Sequence, residues 1–163
     1  MNPLHLVPSE PLAQPVVLYV DDDAANRQAF QAAFRRHFVV RTADGLEDAW
    51  CWLGRGGIDI LITDQRTPGI TGSELLHLVR ERYPAVKRML MTGFADVRAV
   101  IDAVNRGGVV HYLSKPWDPA EVLAAVAQAH ADLRRERDQA AFTEQLVESN
   151  RQLEFALRQR LLS

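Results

Sequence analysis

The stretch "VLYVDDD", Val17 to Asp23, begins in a hydrophobic core and ends in water. Val, Leu, Tyr and Val are apolar β-formers, so the first half reads as a buried strand. Three adjacent carboxylates repel one another, so that strand ends at a place where concentrated negative charge has a use. The same alternation of strand and helix continues outward. "AANRQAFQAAFRRH" (24–37) sets Phe30, Ala33 and Phe34 at i, i+3, i+4 and predicts an amphipathic helix. "FVVRT" (38–42) is a second strand. Asp44 and Glu47 fit a capping pair before the helix "GLEDAWCWL". "IDILIT" (58–63) is a third strand, and Thr71 with Glu74 caps "SELLHLVRERY", a helix that Pro84 ends. "KRMLMT" (87–92) is a fourth strand. Val97, Val100, Ile101 and Val104 mark a fourth helix closed by Gly107 and Gly108, "VVHYLS" (109–114) is a fifth strand, and Asp118 with Pro119 opens a fifth helix.

Five βα units in succession predict an α/β fold: a doubly wound, five-stranded parallel sheet with helices on both faces. In such sheets the site lies beyond the carboxyl ends of the strands. Asp21, Asp22 and Asp23 end strand one, Asp64 ends strand three, Thr92 ends strand four and Lys115 follows strand five, so all are expected at one edge.

Bulk properties narrow the function. The chain has 163 residues, enough for one domain of ordinary size with a sizeable core. With a net charge of -2, nothing in the overall charge argues for nucleic acid or an anionic membrane surface as partner, and neither is expected. No apolar run reaches transmembrane length. Cys51 is the single cysteine, which excludes an internal disulfide framework and suits a reducing, cytoplasmic setting. Between Trp50 and Trp52, it reads as a packed, inert thiol. The histidines are scattered with no i, i+4 pair, which points away from zinc. "MNPLHLVPSEPLAQP" carries four prolines and reads as a flexible leader over 1–15.

Clustered carboxylates are costly unless a cation neutralises them. A hard divalent ion with oxygen ligands, Mg²⁺ above all, does so. Asp64, close to that ion, is suited to act as a carboxylate nucleophile toward a phosphoryl group, with Lys115 and Thr92 placed to spread the transferred charge. The plainer reading makes the acid run a solvated turn and cap.

"VDDD" (20–23), "DQRTPGITG" (64–72), "MTG" (91–93) and "YLSKPW" (112–117), in this order and each at the end of its strand, resemble the receiver domain of bacterial two-component response regulators. The resemblance covers residues 16–130. It implies a flavodoxin-like strand order 2-1-3-4-5, with Asp64 as phosphoacceptor. Asp21, Asp22, Asp64 and the backbone carbonyl of Arg66 would be Mg²⁺ ligands, and Thr92 and Lys115 phosphoryl contacts. Tyr112 would be an aromatic switch partner of Thr92, although it also fits a plain core role. Arg66 and Phe94 would border the attacking water and tune hydrolysis. Lys115-Pro116 would be cis, and Asp23 looks like a helix N-cap. Thr67 stands where an apolar residue is common.

After residue 130 the chain continues as "ADLRRERDQAAFTEQLVESNRQLEFALRQRLLS", free of Gly and Pro, which predicts an extended C-terminal helix over 131–163. Phe142, Leu146, Asn150, Leu153, Leu157 and Leu161 form a coiled-coil-like stripe on it, with Asn150 able to set the register of a parallel pair. The expected function is a phosphorylation-dependent signalling switch that takes a phosphoryl group from a sensor histidine kinase. It would act as a homodimer through the C-terminal helix, with a possible downstream output domain or protein and no separate substrate to turn over. The alternative is a constitutive dimerisation or adaptor module with a vestigial receiver site.

Overall fold

The computed structural model describes residues 13–93, 100–101, 104–105, 108 and 111–162. In chain order the elements are β1 (Val16–Val20), α1 (Ala24–Phe34), β2 (Val39–Ala43), α2 (Leu46–Arg55), β3 (Ile60–Asp64), α3 (Gly72–Arg82), β4 (Lys87–Thr92), β5 (His111–Ser114) and a C-terminal helix (Pro119–Leu162). The five strands form one parallel sheet in the order β2-β1-β3-β4-β5, the flavodoxin-like order.

Both faces of this sheet are covered, and strand periodicity sorts the side chains between them. On β1, Val17 and Tyr19 point to one side, where they pack with Phe30, Phe34 and Phe38 and with Val122, Val126 and Ala129 of the C-terminal helix. Leu18 and Val20 point to the other, against Leu53 of α2 and Leu75, Leu76 and Val79 of α3. Each buried side chain of this size contributes roughly 1.5–3 kcal/mol of hydrophobic stabilisation.

The C-terminal helix is one unbroken run of 44 residues. The Asp118 carboxylate opens it by accepting the Ala120 N–H at 3.0 Å. Its first turns bury Val122, Ala125, Val126, Ala129 and Leu133. Two ion pairs then tie it to the amino-terminal edge of the sheet: Lys87 with Glu136 at 2.5 Å, and Arg137 with Asp59 at 2.8 Å. Asp59 also accepts the Val16 N–H at 2.8 Å, so it joins the start of β1 to the helix. From residue 138 to 162 every side chain is exposed.

Several local expectations are corrected. Asp44 and Glu47 do not cap α2; its N-cap is Gly45, which makes no side-chain bond, and Glu47 and Asp48 sit in the first turn, where acids suit the helix dipole. Cys51 is exposed, not packed, because α2 buries Ala49 and Leu53, one turn apart, and residue 51 falls on the outer side. Ala33 is exposed while Phe30 and Phe34 are buried, and α1 stops at Phe34. Residues 1–12, and all but a few positions of the expected fourth helix, lie outside the described residues. No described helix is long and apolar enough to cross a membrane.

Candidate functional site: an acid cleft at the carboxyl edge

Asp21 and Asp22 follow the last residue of β1, and Asp64 is the last residue of the neighbouring β3. The register pairs Val20 with Thr63, so Asp21 arrives beside Asp64. Carboxylate oxygens of Asp21, Asp22 and Asp64 lie within 4.8 Å of one another. Asp23 is drawn away from the cluster: its carboxylate caps α1, accepting the Ala25 N–H at 2.8 Å. Lys115, just past β5, reaches in from the other side. Its Nζ lies 3.2 Å from Asp21 Oδ2 and 3.1 Å from Asp64 Oδ2.

The three acids differ in surroundings. Asp21 is buried. Burial alone would raise its carboxyl, but the Asp23 N–H, the Tyr19 hydroxyl and Lys115 together hold it below the usual value. Asp64 is pushed the other way: burial dominates, and the Asp21 charge adds to it, against the pull of Lys115 and of the Arg66 N–H. Asp22 is exposed. The ammonium of Lys115 is likewise held above its ordinary value; burial opposes this, but Asp64 and then Asp21 prevail. Among the described residues three carboxylates gather beside the Lys115 ammonium, and every metal-ligating atom in the cluster is a hard oxygen. That set fits a divalent cation such as Mg²⁺.

Local sequence explains how the cleft is built. Pro68 and Gly69, the latter at φ +81°, supply the turn after β3, since a positive φ favours glycine. The Thr67 hydroxyl closes this loop by donating to the Ile70 carbonyl, a use that an apolar residue there would lack. Thr71 caps α3 by accepting the Glu74 N–H at 3.2 Å. Gln65 accepts the Ser73 N–H at 3.0 Å, which adds a second tie at the same helix start. Gly72 sits so close to β3 that an added Cβ would lie 2.3 Å from the Asp64 carbonyl oxygen. The loop borders an open cleft of about 450 Å³ lined by Asp22, Gln65, Arg66, Thr67, Pro68 and Thr71.

Thr92 is buried at the end of β4, paired in register with Ser114, and its carbonyl accepts the Lys115 N–H at 3.0 Å. Tyr112 is half-buried on β5, opposite Leu90. The Lys115-Pro116 peptide is cis. Phe94 lies outside the described residues.

Sequence reasoning missed the support around Asp21. Tyr19, read only as a core residue, donates its hydroxyl to Asp21 Oδ2 at 2.7 Å. Asn26 donates its amide to the same oxygen at 3.1 Å, and Arg27 donates to the Asp21 carbonyl at 2.8 Å. The i, i+2 spacing of Tyr19 and Asp21 was a usable signal, since such positions share one face of a strand.

A doubly wound sheet with an acid cleft and a lysine at its carboxyl edge defines a class of α/β proteins built around a charged switch-point site. Within that class, this chain belongs to the response regulator receiver domain family, whose model matches residues 17–127. It is similar to the hydrogenase transcriptional regulatory protein HoxA of Cupriavidus necator, at 36% identity over 116 residues, covering 71% of this chain and 24% of that protein. It is also similar to the C4-dicarboxylate transport transcriptional regulatory protein DctD of Pseudomonas aeruginosa, at 35% over 154 residues, covering 91% of this chain and 30% of that one. Among solved structures, the signal receiver domain of an HD domain-containing protein from Pseudomonas fluorescens Pf-5 superposes with a TM-score of 0.77 at 30% identity, covering 82% of this chain and 98% of that one. The chain spans 24% to 30% of the length of these curated relatives.

Proposed function

We propose that this receiver domain is a phosphorylation-dependent switch in which Asp64 accepts a phosphoryl group from a sensor histidine kinase. The observation that carries the reading is the Lys115 ammonium, 3.1 Å from Asp64 and 3.2 Å from Asp21 within the three-acid cluster. One oxygen of Asp64 attacks phosphorus as the bond from phosphorus to the donor's histidine nitrogen breaks, so the group changes hands with no net redox change. Lys115 turns its charge onto the arriving phosphoryl oxygens, and the Thr92 hydroxyl supplies a further donor. Asp21, Asp22, Asp64 and the backbone carbonyl of Arg66 would hold Mg²⁺, which when bound supplies positive charge against the same oxygens. Movement of Thr92 toward the phosphoryl group is relayed to Tyr112 on β5, while Arg66 and Phe94 set access of water to the aspartyl phosphate.

The output is proposed to run through the C-terminal helix. Phe142, Leu146, Leu153, Leu157 and Leu161 are exposed along it, and a row of large apolar residues favours burial against a second copy of the chain. The residues from about 131 onward would then serve as a dimerising extension of the receiver, leading to an output domain or protein. The relatives named as transcriptional regulators support this place in a signalling chain.

The test is intact-mass analysis after incubation with Mg²⁺ and a small acyl phosphate. One added phosphoryl group is expected in the native chain and none in Asp64→Asn, because an amide is a far weaker nucleophile. Equal labelling of the two would remove Asp64 from the role. Failure of both to label, with a folded protein, would favour a vestigial site on a constitutive dimer.

A further inference from the structure

The Asp21 carboxylate is gripped unevenly. Its Oδ2 accepts three side-chain donors: the Tyr19 hydroxyl at 2.7 Å, the Asn26 amide at 3.1 Å and the Lys115 ammonium at 3.2 Å. Among the described residues its Oδ1 accepts only the Asp23 N–H, at 3.0 Å. A carboxylate offers about four lone-pair sites over its two oxygens, so Oδ2 is fully used and Oδ1 is the oxygen left with capacity. The whole group is 1% exposed, so it makes little use of water.

Two of the three donors at Oδ2 are neutral. The Tyr19 ring is fully buried and stacks on Phe30, with centroids 4.1 Å apart and planes within 5°. Phe30 in turn contacts Trp117 edge-on at 6.0 Å. Asn26 sits in the first turn of α1, whose cap, Asp23, also supplies the Oδ1 contact. The third donor, Lys115, is shared with Asp64. Under the proposed mechanism Lys115 leaves Asp21 for the phosphoryl oxygens. A buried carboxylate oxygen that lost its only donor would carry a large desolvation cost. Tyr19 and Asn26 keep Oδ2 satisfied through that step.

We propose that Tyr19 and Asn26 are positioning residues of the cation site, holding Asp21 by Oδ2 so that Oδ1 is presented to a divalent ion and Lys115 is free to move. This inference rests on the reading of the acid cleft as a Mg²⁺ site. Neither residue touches the reacting atoms. Each acts through Asp21, in the way that partners behind a metal ligand orient it.

The experiment is calorimetric titration of the full chain with Mg²⁺ alone, without any phosphodonor. Tyr19→Phe keeps the stacked ring and removes only the hydroxyl. Asn26→Ala removes the amide from a half-buried position, so it carries the test if the tyrosine variant folds poorly. Each is expected to weaken Mg²⁺ binding about tenfold, and the pair of changes together more than either alone. Phe30→Leu loosens the same stack while leaving the hydroxyl in place. It is expected to lower the melting midpoint but leave the Mg²⁺ affinity within about twofold. Native-like Mg²⁺ affinity in the folded Tyr19→Phe, Asn26→Ala double variant overturns the proposal. So does a Phe30→Leu loss as large as that of Tyr19→Phe, because packing and not the hydroxyl would then be at work. A native chain that binds no Mg²⁺ overturns instead the cation-site reading beneath it.

Discussion

The two halves of the C-terminal helix are alike in backbone and opposite in setting. From Pro119 to Leu133 the helix is held by a buried face of Val122, Ala125, Val126, Ala129 and Leu133. From 138 to 162 no side chain is buried. The first half is helical because tertiary packing rewards it. The second half has only propensity and neighbouring side chains to hold it, which are marginal for an isolated segment of this length. The receiver body is therefore held by packing, whereas the arm is not.

Phe30→Ala removes a fully buried ring that touches Tyr19, Phe34, Phe38 and Trp117. It should cost the receiver body about 3–5 kcal/mol, read as a shift in chemical denaturation. Leu157→Ala in the arm should leave the same transition within about 0.5 kcal/mol. Equal effects would mean that body and arm unfold as one unit.

Gly72→Ala comes next. Its new Cβ would press on the Asp64 backbone, at 2.3 Å from the carbonyl oxygen and 2.9 Å from the carbonyl carbon. Backbone there has no room to give, so a loss of about 2–3 kcal/mol is expected, with weaker Mg²⁺ binding as Asp64 shifts. A neutral substitution would show that the start of α3 can yield to an added methyl group.

Asp59→Ala tests the joint between the halves. It removes the acceptor of both the Val16 N–H and Arg137. A cost of about 1–2 kcal/mol is expected, mostly from the half-buried backbone donor. Faster hydrogen exchange should appear in the turns around residue 137 and spare those around 125. Uniform exchange along the helix would place the joint elsewhere.

Asp64→Asn should act in the stabilising direction. Burial raises the Asp64 carboxyl, so its ionised form opposes folding at neutral pH. The asparagine variant should melt higher than the native chain at pH 7. The gap should close as pH falls through the raised folded value and vanish below about 3.9, where the group is protonated folded or unfolded. A gap that widens on acidification would reverse the sign of the effect.

The sheet was legible in the sequence because each strand is a short apolar β-type run bounded by turn residues, and β4 was bounded to the residue. The edge on which Asp21, Asp64, Thr92 and Lys115 meet followed from parallel topology alone. Interactions across long sequence separations were not legible. Nothing in a linear pattern pairs Asp59 with Arg137, or Lys87 with Glu136. Asp44 and Glu47 had the spacing of a capping box, but the chain starts α2 at Gly45 and leaves them unused as caps. Cys51 was misplaced because two flanking tryptophans suggest burial, while helix phase sets it on the outer side. Tyr19 was hidden by its double nature: its ring belongs to the core and its hydroxyl to the site.

The unbroken backbone past Arg137 makes the C-terminal helix a lever with its fulcrum at the amino-terminal edge of the sheet. The 25 residues from 138 to 162 span about 38 Å at roughly 1.5 Å each. A tilt of about 10° at the Asp59 and Lys87 contacts would carry the far tip through about 6–7 Å, with no change inside the arm itself. Small adjustments in the receiver body are thus magnified with distance, and the length of the arm sets the gain.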